Sequence, residues 1–423
     1  MTEYKEMNDD SRLKIQQKVK LNSKPQGLLE LFTCYVHPMP ISMVQLIVKD
    51  NEIFVSVKCG YSEHKESTLF VYKALKNGEK MGCPSLIGHV PIALQISKNV
   101  LGRDTAVEKS LLQLTPDAQS VVLLNSIRTP YSCASDCFQE NAVKIVRLNR
   151  GHASLVKRLE TTQGVCCLLV CEPRFLLAAE EGGKVKLWIM NSEWSGHEED
   201  WYLPMVDCMF PTIVELKTIP KSASLVVGHN GYGEFCLWDI DKRNLVSRFS
   251  SPGMSVLECV PASVFRWQTK VEHKMETIVD EIMDATRMQF SERSQVNIVS
   301  PENEDVAIWL LISTLSDPDS QYYQPCDQGA NTVGCWRLAL LINNMVITGS
   351  AVDAGVAAVT SVGQGIIGRS DGLVYVWELS TGMKLENLHS FKGSKVSFIA
   401  TDTSYSGALA VASGGQLLVY LPS

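Results

Sequence analysis

Cys133 and Cys137 form a C-x3-C pair, Cys166, Cys167 and Cys171 follow as a cluster, and Cys208 lies further on. Four thiolates from this set could enclose a zinc ion. The spacing lacks the paired C-x2-C knuckles of structural zinc sites, and Cys166, Cys167 and Cys171 sit in an apolar run. A free thiol there acts as a small hydrophobe. Cys133 and Cys137, in the polar stretch RTPYSCASDCFQEN, are the better of two weak metal candidates, and no metal is expected. GQGIIG at 363–368 has the glycines of a phosphate loop but falls within a strand instead of opening a helix. No serine elbow, Walker loop, H-E-x-x-H or dinucleotide fingerprint occurs. Glu180-Glu181 and Glu198-Glu199 are most simply solvated faces. The residues name no catalytic group and no cofactor, so the chain is expected not to be an enzyme; chemistry in a central cavity is the alternative.

Positive charge gathers in VKIVRLNRGHASLVKRLE, at Lys144, Arg147, Arg150, Lys157 and Arg158, with a second group at Lys242, Arg243 and Arg248. Local charge of this kind can hold a nucleic-acid phosphate backbone. No recognition helix or series of stacking aromatics accompanies it, so a solvated face is the simpler reading. Aromatic residues in polar surroundings suggest a different chemistry. Trp194, Trp201, Tyr202, Tyr232, Tyr322 and Tyr323 could anchor a protein partner, because tryptophan and tyrosine dominate interface hot spots. WSGHEEDWYL is the best single stretch. The same rings could instead seal neighbouring structural units.

The elements that would position these residues follow from composition and pattern. The chain has 423 residues, 45% of them hydrophobic, and a formal charge of -7. That is ample for a large core, and it argues against a globally basic nucleic-acid binder. Thirteen cysteines, odd in number and scattered, suit reduced thiols better than a disulfide framework. Residues 1–25 are polar and mixed in charge, without the apolar stretch of a signal peptide. No run approaches the ~18 apolar residues of a membrane helix, so no membrane partner is expected.

One pattern recurs along the rest of the chain: an apolar strand, a second strand, a tight glycine turn, then a strand ending in an aromatic residue. SDGLVYVWELSTG shows it best, with Asp371-Gly372 as the turn and Trp377 near the strand end. AAEEGGKVKLWIMNSEW repeats it with Trp188, VVGHNGYGEFCLWDIDKRN with Trp238-Asp239, and ASGGQLLVYLPS with Tyr420. KESTLFVYKALKNG offers Tyr72, and QENAVKIVRLNRG puts Arg147 where the aromatic would stand. The gaps from 188 to 238 and from 377 to 420 suit a four-stranded blade of ~40–50 residues. Seven units result, centred on 41–75, 110–150, 164–194, 212–250, 303–348, 354–390 and 395–423. Such sheets cannot bury their faces alone and must stack around an axis.

The pattern resembles the WD40 β-propeller family over most of residues 28–423. GEFCLWDIDKRNLVSRF is its most specific piece, and DGLVYVWELSTGMKLENL matches with Glu378 in place of the family's aspartate. The Gly-His pairs are Gly88-His89, Gly151-His152 and Gly228-His229, so the family's buried Asp-His-Ser/Thr-Trp network looks incomplete. The resemblance implies a ring whose last blade is completed by an N-terminal strand, here QGLLELFTCYV at 26–36, with capping of one side of the first blade as the alternative. It also implies a non-catalytic scaffold that binds proteins or peptides through its central face and rim loops. More narrowly, CWRLALLINNMVI, VYVWELSTG and GGQLLVYLPS resemble the C-terminal propeller of the partner-and-localiser scaffolds of homologous recombination. That implies a nuclear role in DNA repair, with a cytoplasmic one as the alternative.

The expected organisation is therefore a flexible segment at 1–25 and a single seven-bladed, all-β WD40-like propeller at 26–423. Residues 266–292 break the alternation. Val271, Met275, Ile278, Val279, Ile282 and Met288 recur at helical spacing, which predicts an inserted amphipathic helix between the fourth and fifth units. Polar loop insertions are expected at 126–142 and 317–333.

Overall fold

Alternating apolar and polar residues cut by glycine turns build antiparallel strands throughout the described chain, and the strands group into seven sheets of four. The computed structural model describes residues 29–49, 52–60, 66–75, 85–93, 112–124, 142–149, 152–204, 213–219, 222, 224–251, 256–267, 305–314, 330–337, 340–349, 356–359, 364–379, 382–402 and 407–422. Strand β1 (Leu29–Val36) comes first and belongs, in space, to the last sheet. Blade 1 is β2 (Ile41–Lys49), β3 (Glu52–Cys59), β4 (Glu66–Leu75) and β5 (Ser85–Ala93). Blade 2 is β6 (Leu112–Leu114), β7 (Ser120–Leu124), β8 (Ala142–Asn149) and β9 (His152–Glu160). Blade 3 is β10 (Val165–Cys171), β11 (Phe175–Glu180), β12 (Val185–Met190) and β13 (His197–Tyr202). Blade 4 is β14 (Glu215–Thr218), β15 (Leu225–His229), β16 (Glu234–Asp239) and β17 (Asn244–Ser250). Blade 5 is β18 (Val256–Trp267), β19 (Asp305–Thr314), β20 (Ala330–Arg337) and β21 (Leu340–Gly349). Blade 6 is β22 (Val356–Val359), β23 (Gln364–Gly368), β24 (Leu373–Glu378) and β25 (Met383–Ser390). Blade 7 is β26 (Phe398–Thr401), β27 (Leu409–Ser413) and β28 (Gln416–Pro422), with β1 as its outer strand.

The result is a seven-bladed β-propeller. The first strands of successive blades approach one another around the ring. Side chains finish what these inner strands cannot do by backbone pairing. Gln45 on β2 accepts from Leu114 N at 2.8 Å, and Gln113 on β6 donates to Leu168 O of β10 at 2.9 Å. On β14 the same reach is made by Lys217, whose ammonium lies 3.9 Å from Glu258 of β18. The ring closes where β1 pairs antiparallel with β28 from Leu29↔Pro422 to Val36↔Gln416, and where Leu46 bridges Asp402. Closure leaves no open pair of sheet edges between the first and last blades.

Every outer strand carries a β-bulge opposite one position of the third strand. That position is Tyr72, Val146, Met190, Trp238, Trp336, Trp377 and Tyr420 in blades 1 to 7. These are the true anchors of the repeat, aromatic in five of the seven blades. Trp188 therefore stands two residues early, Val146 rather than Arg147 is the blade 2 equivalent, and Trp336 is an anchor that pattern reading passed over. The anchors face the preceding blade: Trp238 packs with Cys167, Leu169 and Leu187 of blade 3, and Trp336 with Phe235 and Phe249 of blade 4. Two of their indole N–H groups staple the ring. Trp238 Nε1 donates to Pro204 O at 3.2 Å and Trp336 Nε1 to Ser250 O at 2.8 Å, just beyond and at the end of the preceding outer strand. A Cβ at Gly334 would collide with the Trp336 ring, so only glycine admits it there.

The outer-strand residue paired with each anchor is leucine in five blades: Leu86, Leu155, Leu245, Leu341 and Leu31. This accounts for most exposed leucines on the rim as lids on their anchors. The bulge also raises local twist and spoils the edge as a template for another chain.

Two expectations need correction. No helix occurs among the described residues, and Arg266 and Trp267, which were to open the amphipathic helix at 266–292, close strand β18 instead. Residues 268–292 lie outside the described residues. Because β18 is the first strand of blade 5, the insertion falls inside that blade and not between the fourth and fifth. The loop insertions expected at 126–142 and 317–333 lie outside the described residues, apart from Ala142 on β8 and residues 330–333 on β20.

Candidate interaction surface on blade 3

Blade 3 breaks the rim pattern. In the other six blades the bulged residue at the anchor is apolar: Ile87, Val156, Val246, Ile342, Leu385 and Phe32. In β13 it is Glu198, and the anchor Met190 pairs with His197 instead of leucine. Strand β13 reads HEEDWY, and all six side chains reach solvent at least in part. Its polarity is not what a purely structural edge requires.

Each carboxylate is met by a cation from a neighbouring element. Arg174 Nη1 lies 2.8 Å from Glu198 Oε1, Arg243 of blade 4 donates to Glu199 Oε2 at 2.7 Å, and Lys186 pairs with Asp200. The hydrogen bond from Lys186 holds the Asp200 carboxyl below its usual range. Alternation along the strand sends the two aromatic rings to opposite sides. Trp201 turns towards blade 4, where the Arg243 guanidinium lies 3.7 Å above its ring, a cation–π contact. Tyr202 faces the other way with Lys186 4.9 Å and Lys184 6.0 Å from its ring centre. Its hydroxyl donates to Glu180 Oε1 at 3.1 Å, and Thr162 Oγ1 donates to Glu180 Oε2 at 2.6 Å. Glu180 is fully buried, so it is a structural acceptor rather than the solvated acid its sequence context suggested. These bonds fix the tyrosine ring on the surface with little rotamer freedom left to lose on binding.

The other candidates separate. Trp194, at φ 55° in the Asn191–Gly196 turn, is buried among Val143, Leu159 and Trp188, between blades 2 and 3. It offers a partner no surface. Tyr232 is half exposed at the tip of the β15–β16 hairpin, between Gly231 and Gly233. Tyr322 and Tyr323 lie outside the described residues, as do Arg150, Cys133 and Cys137. Of the basic set, Arg147 is an inter-blade strut whose Nη2 donates to Glu193 O at 2.9 Å. Arg158 is 2.7 Å from Glu160, while Lys144 lies opposite Arg158 and Lys157 opposite Ile145 across the β8–β9 pair. Alternation thus puts Lys144 and Arg158 on one face of this pair and Lys157 and Arg147 on the other, so the basic set is divided. Among the described residues, no group of His, Cys, Asp or Glu is arranged to hold a metal ion.

Turn residues singled out for structure occupy turns. Asp239 Oδ1 accepts from Lys242 N at 3.2 Å, and Asp371 Oδ1 accepts from Leu373 N at 3.0 Å. Gly372 has φ +84°, and a Cβ there would meet Ser394 O at 2.7 Å.

A buried charge network went unread in the sequence. Gly231 N donates to His229 Nδ1 at 3.1 Å, which leaves the ring proton on Nε2, 2.9 Å from Glu215 Oε2. Cys259 N of blade 5 donates to the same oxygen at 2.9 Å, and Lys217 Nζ lies 3.2 Å from Glu215 Oε1. Burial pushes the Glu215 carboxyl up, but Lys217, His229 and the Cys259 amide outweigh it and hold it at about 2. Gly228-His229 was the visible signal; its partners come from two other strands. Buried thiols nearby are inert, with burial raising Cys236 to about 12.

No family model and no curated protein sequence matches this chain, and its likeness to WD40 propellers is one of general shape.

Proposed function

We propose that the chain is a non-catalytic protein-interaction scaffold and that the outer strand of blade 3 is one of its docking surfaces. The observation that carries this reading is β13, where a charged residue takes the bulge position that is apolar in the other six blades and two positioned aromatic rings stand beside it. Tyr202 and Trp201 supply anchor area, and Glu198, Glu199 and Asp200 with their paired cations supply a polar rim around it. A rigid ring presents such a surface without an ordering cost. The test is crosslinking followed by mass spectrometry on the wild type and on a Glu198→Ala/Tyr202→Ala variant with an unchanged unfolding midpoint. Crosslinks mapping to β13 and lost in the variant are expected. An identical set of crosslinked proteins from both chains would overturn the assignment.

A further inference from the structure

The β15–β16 hairpin contains Asn230-Gly231, a pair whose turn geometry suits a tight hairpin. The hydrogen bonds around it exceed what a turn needs. The Gly231 N–H points at His229 Nδ1 at 3.1 Å, and His229 Nε2 is backed by Glu215 at 2.9 Å. Asn230 Oδ1 accepts two backbone N–H groups, from Tyr232 at 2.8 Å and Glu234 at 3.3 Å. Since only the oxygen can accept them, the amide orientation is set, and Asn230 Nδ2 donates to Glu234 Oε2 at 2.9 Å. The bond to Tyr232 N closes an Asx turn, whose hydrogen-bonded ring contains both Asn230 Cγ and the Gly231 nitrogen.

We infer that Asn230-Gly231 is a self-modifying site, at which the folded hairpin promotes its own asparagine cyclisation with His229 as proton acceptor. The Gly231 nitrogen attacks Asn230 Cγ and gives its proton to His229 Nδ1, while Glu215 stabilises the imidazolium. The two N–H groups on Oδ1 hold the charge that develops there, as an oxyanion hole does. The Cγ–Nδ2 bond then breaks, and the departing amide takes the proton from His229 and leaves as ammonia. Water opens the cyclic imide at either carbonyl, giving aspartate or isoaspartate. Asn230 and Gly231 are themselves buried, and the exposed Tyr232 that follows them marks the side from which the water of the last step enters.

The product has structural consequences. It places a second carboxylate beside Glu234, and isoaspartate lengthens the hairpin backbone. That hairpin ties blade 4 to the chain entering blade 5, through Ser251 N to Gly233 O at 2.7 Å and Val256 N to Gly231 O at 2.8 Å. Modification therefore loosens this junction and lowers the unfolding midpoint.

The test is a time course of the purified chain at mildly alkaline pH, in native buffer and unfolded in urea, followed by peptide mapping for amide-to-acid conversion and isoaspartate. The other Asn-Gly pair, Asn77-Gly78, lies outside the described residues; read in the urea-unfolded sample, it serves as an internal reference for the unfolded rate. Conversion at Asn230 is expected to be about tenfold faster folded than unfolded, a modest share of what a positioned base supplies. A folded rate equal to or below the unfolded rate would overturn the proposal, and this comparison needs no variant. In a folded His229→Gln chain the rate should fall to the unfolded value or lower; an undiminished rate would remove His229 from the reaction.

Discussion

Two junctions of the ring solve the same problem with opposite chemistry. Between blades 4 and 5, charge is buried and satisfied: Glu215 receives His229, Lys217 and the Cys259 amide, and Trp336 donates to Ser250 O. Between blades 7 and 1, the seam is backbone and aromatic. His37 N donates to Gly415 O at 2.7 Å and Ile41 N to Gly414 O at 2.8 Å, while Tyr35 and His37 pack on Phe70 and Tyr72. Tyr35 Oη and His37 Nε2 are buried without a hydrogen-bond partner among the described residues. The first junction joins blades that follow one another in the chain. The second must capture a strand from the far end of it, and an apolar seam tolerates late arrival better than a charge network in which every partner must be present at once.

Removing the captured strand is the largest perturbation. Loss of one buried aromatic such as Tyr35 costs ~3–5 kcal/mol, against a total stability of ~5–15 kcal/mol for a domain. A chain lacking residues 1–36 should lose cooperative unfolding and elute as larger species than the full chain, and a peptide spanning residues 26–38 should reverse both changes. Unchanged elution with the wild-type midpoint would mean that the seam is dispensable. At the other junction, Trp336→Ala should cost ~3–5 kcal/mol in urea unfolding, and Trp336→Phe ~1 kcal/mol for the lost staple plus the smaller ring. If the phenylalanine variant is as unstable as the alanine one, the bond to Ser250 outweighs the packing on Phe235 and Phe249.

The ring was legible in sequence because the repeat is enforced by packing, and the closing strand because a propeller edge has to be covered. Blade 5 was misread because Val256–Trp267 is separated from its partner Asp305–Thr314 by a long insertion, so neither half completes a unit locally. Trp336 was missed for the same reason, although GCWRLA sets its tryptophan as CLWDID does, with a charged residue after it. Trp188 misled because it lies on the same face as the anchor Met190, two residues on, and alternation cannot separate the two. At the rim, composition singled out WSGHEEDWYL as a candidate but could not tell that Trp194 turns inward at positive φ. The bulge that makes Glu198 exceptional is visible only once seven registers are compared.

Acid should separate the two junctions by where each begins to give. Burial lowers the affinity of His37 for a proton, so the folded state binds fewer protons than the unfolded chain as pH falls through 6.5, the ordinary value for this side chain. The closing seam is thus destabilised from about that pH downward. Glu215 works in the other window. Its carboxyl is held at about 2 against an ordinary 4.5, so its contribution is complete above 4.5 and is lost as pH falls towards 2. Hydrogen-exchange protection should therefore fall in β1 and β28 before it falls in β14 and β18. Glu215→Gln should be less stable at neutral pH yet flatter between 4.5 and 2, because an amide keeps a hydrogen bond but has no charge to lose. If β14 and β18 open together with β1, the two junctions form one cooperative unit and their chemical difference carries no separate response to pH.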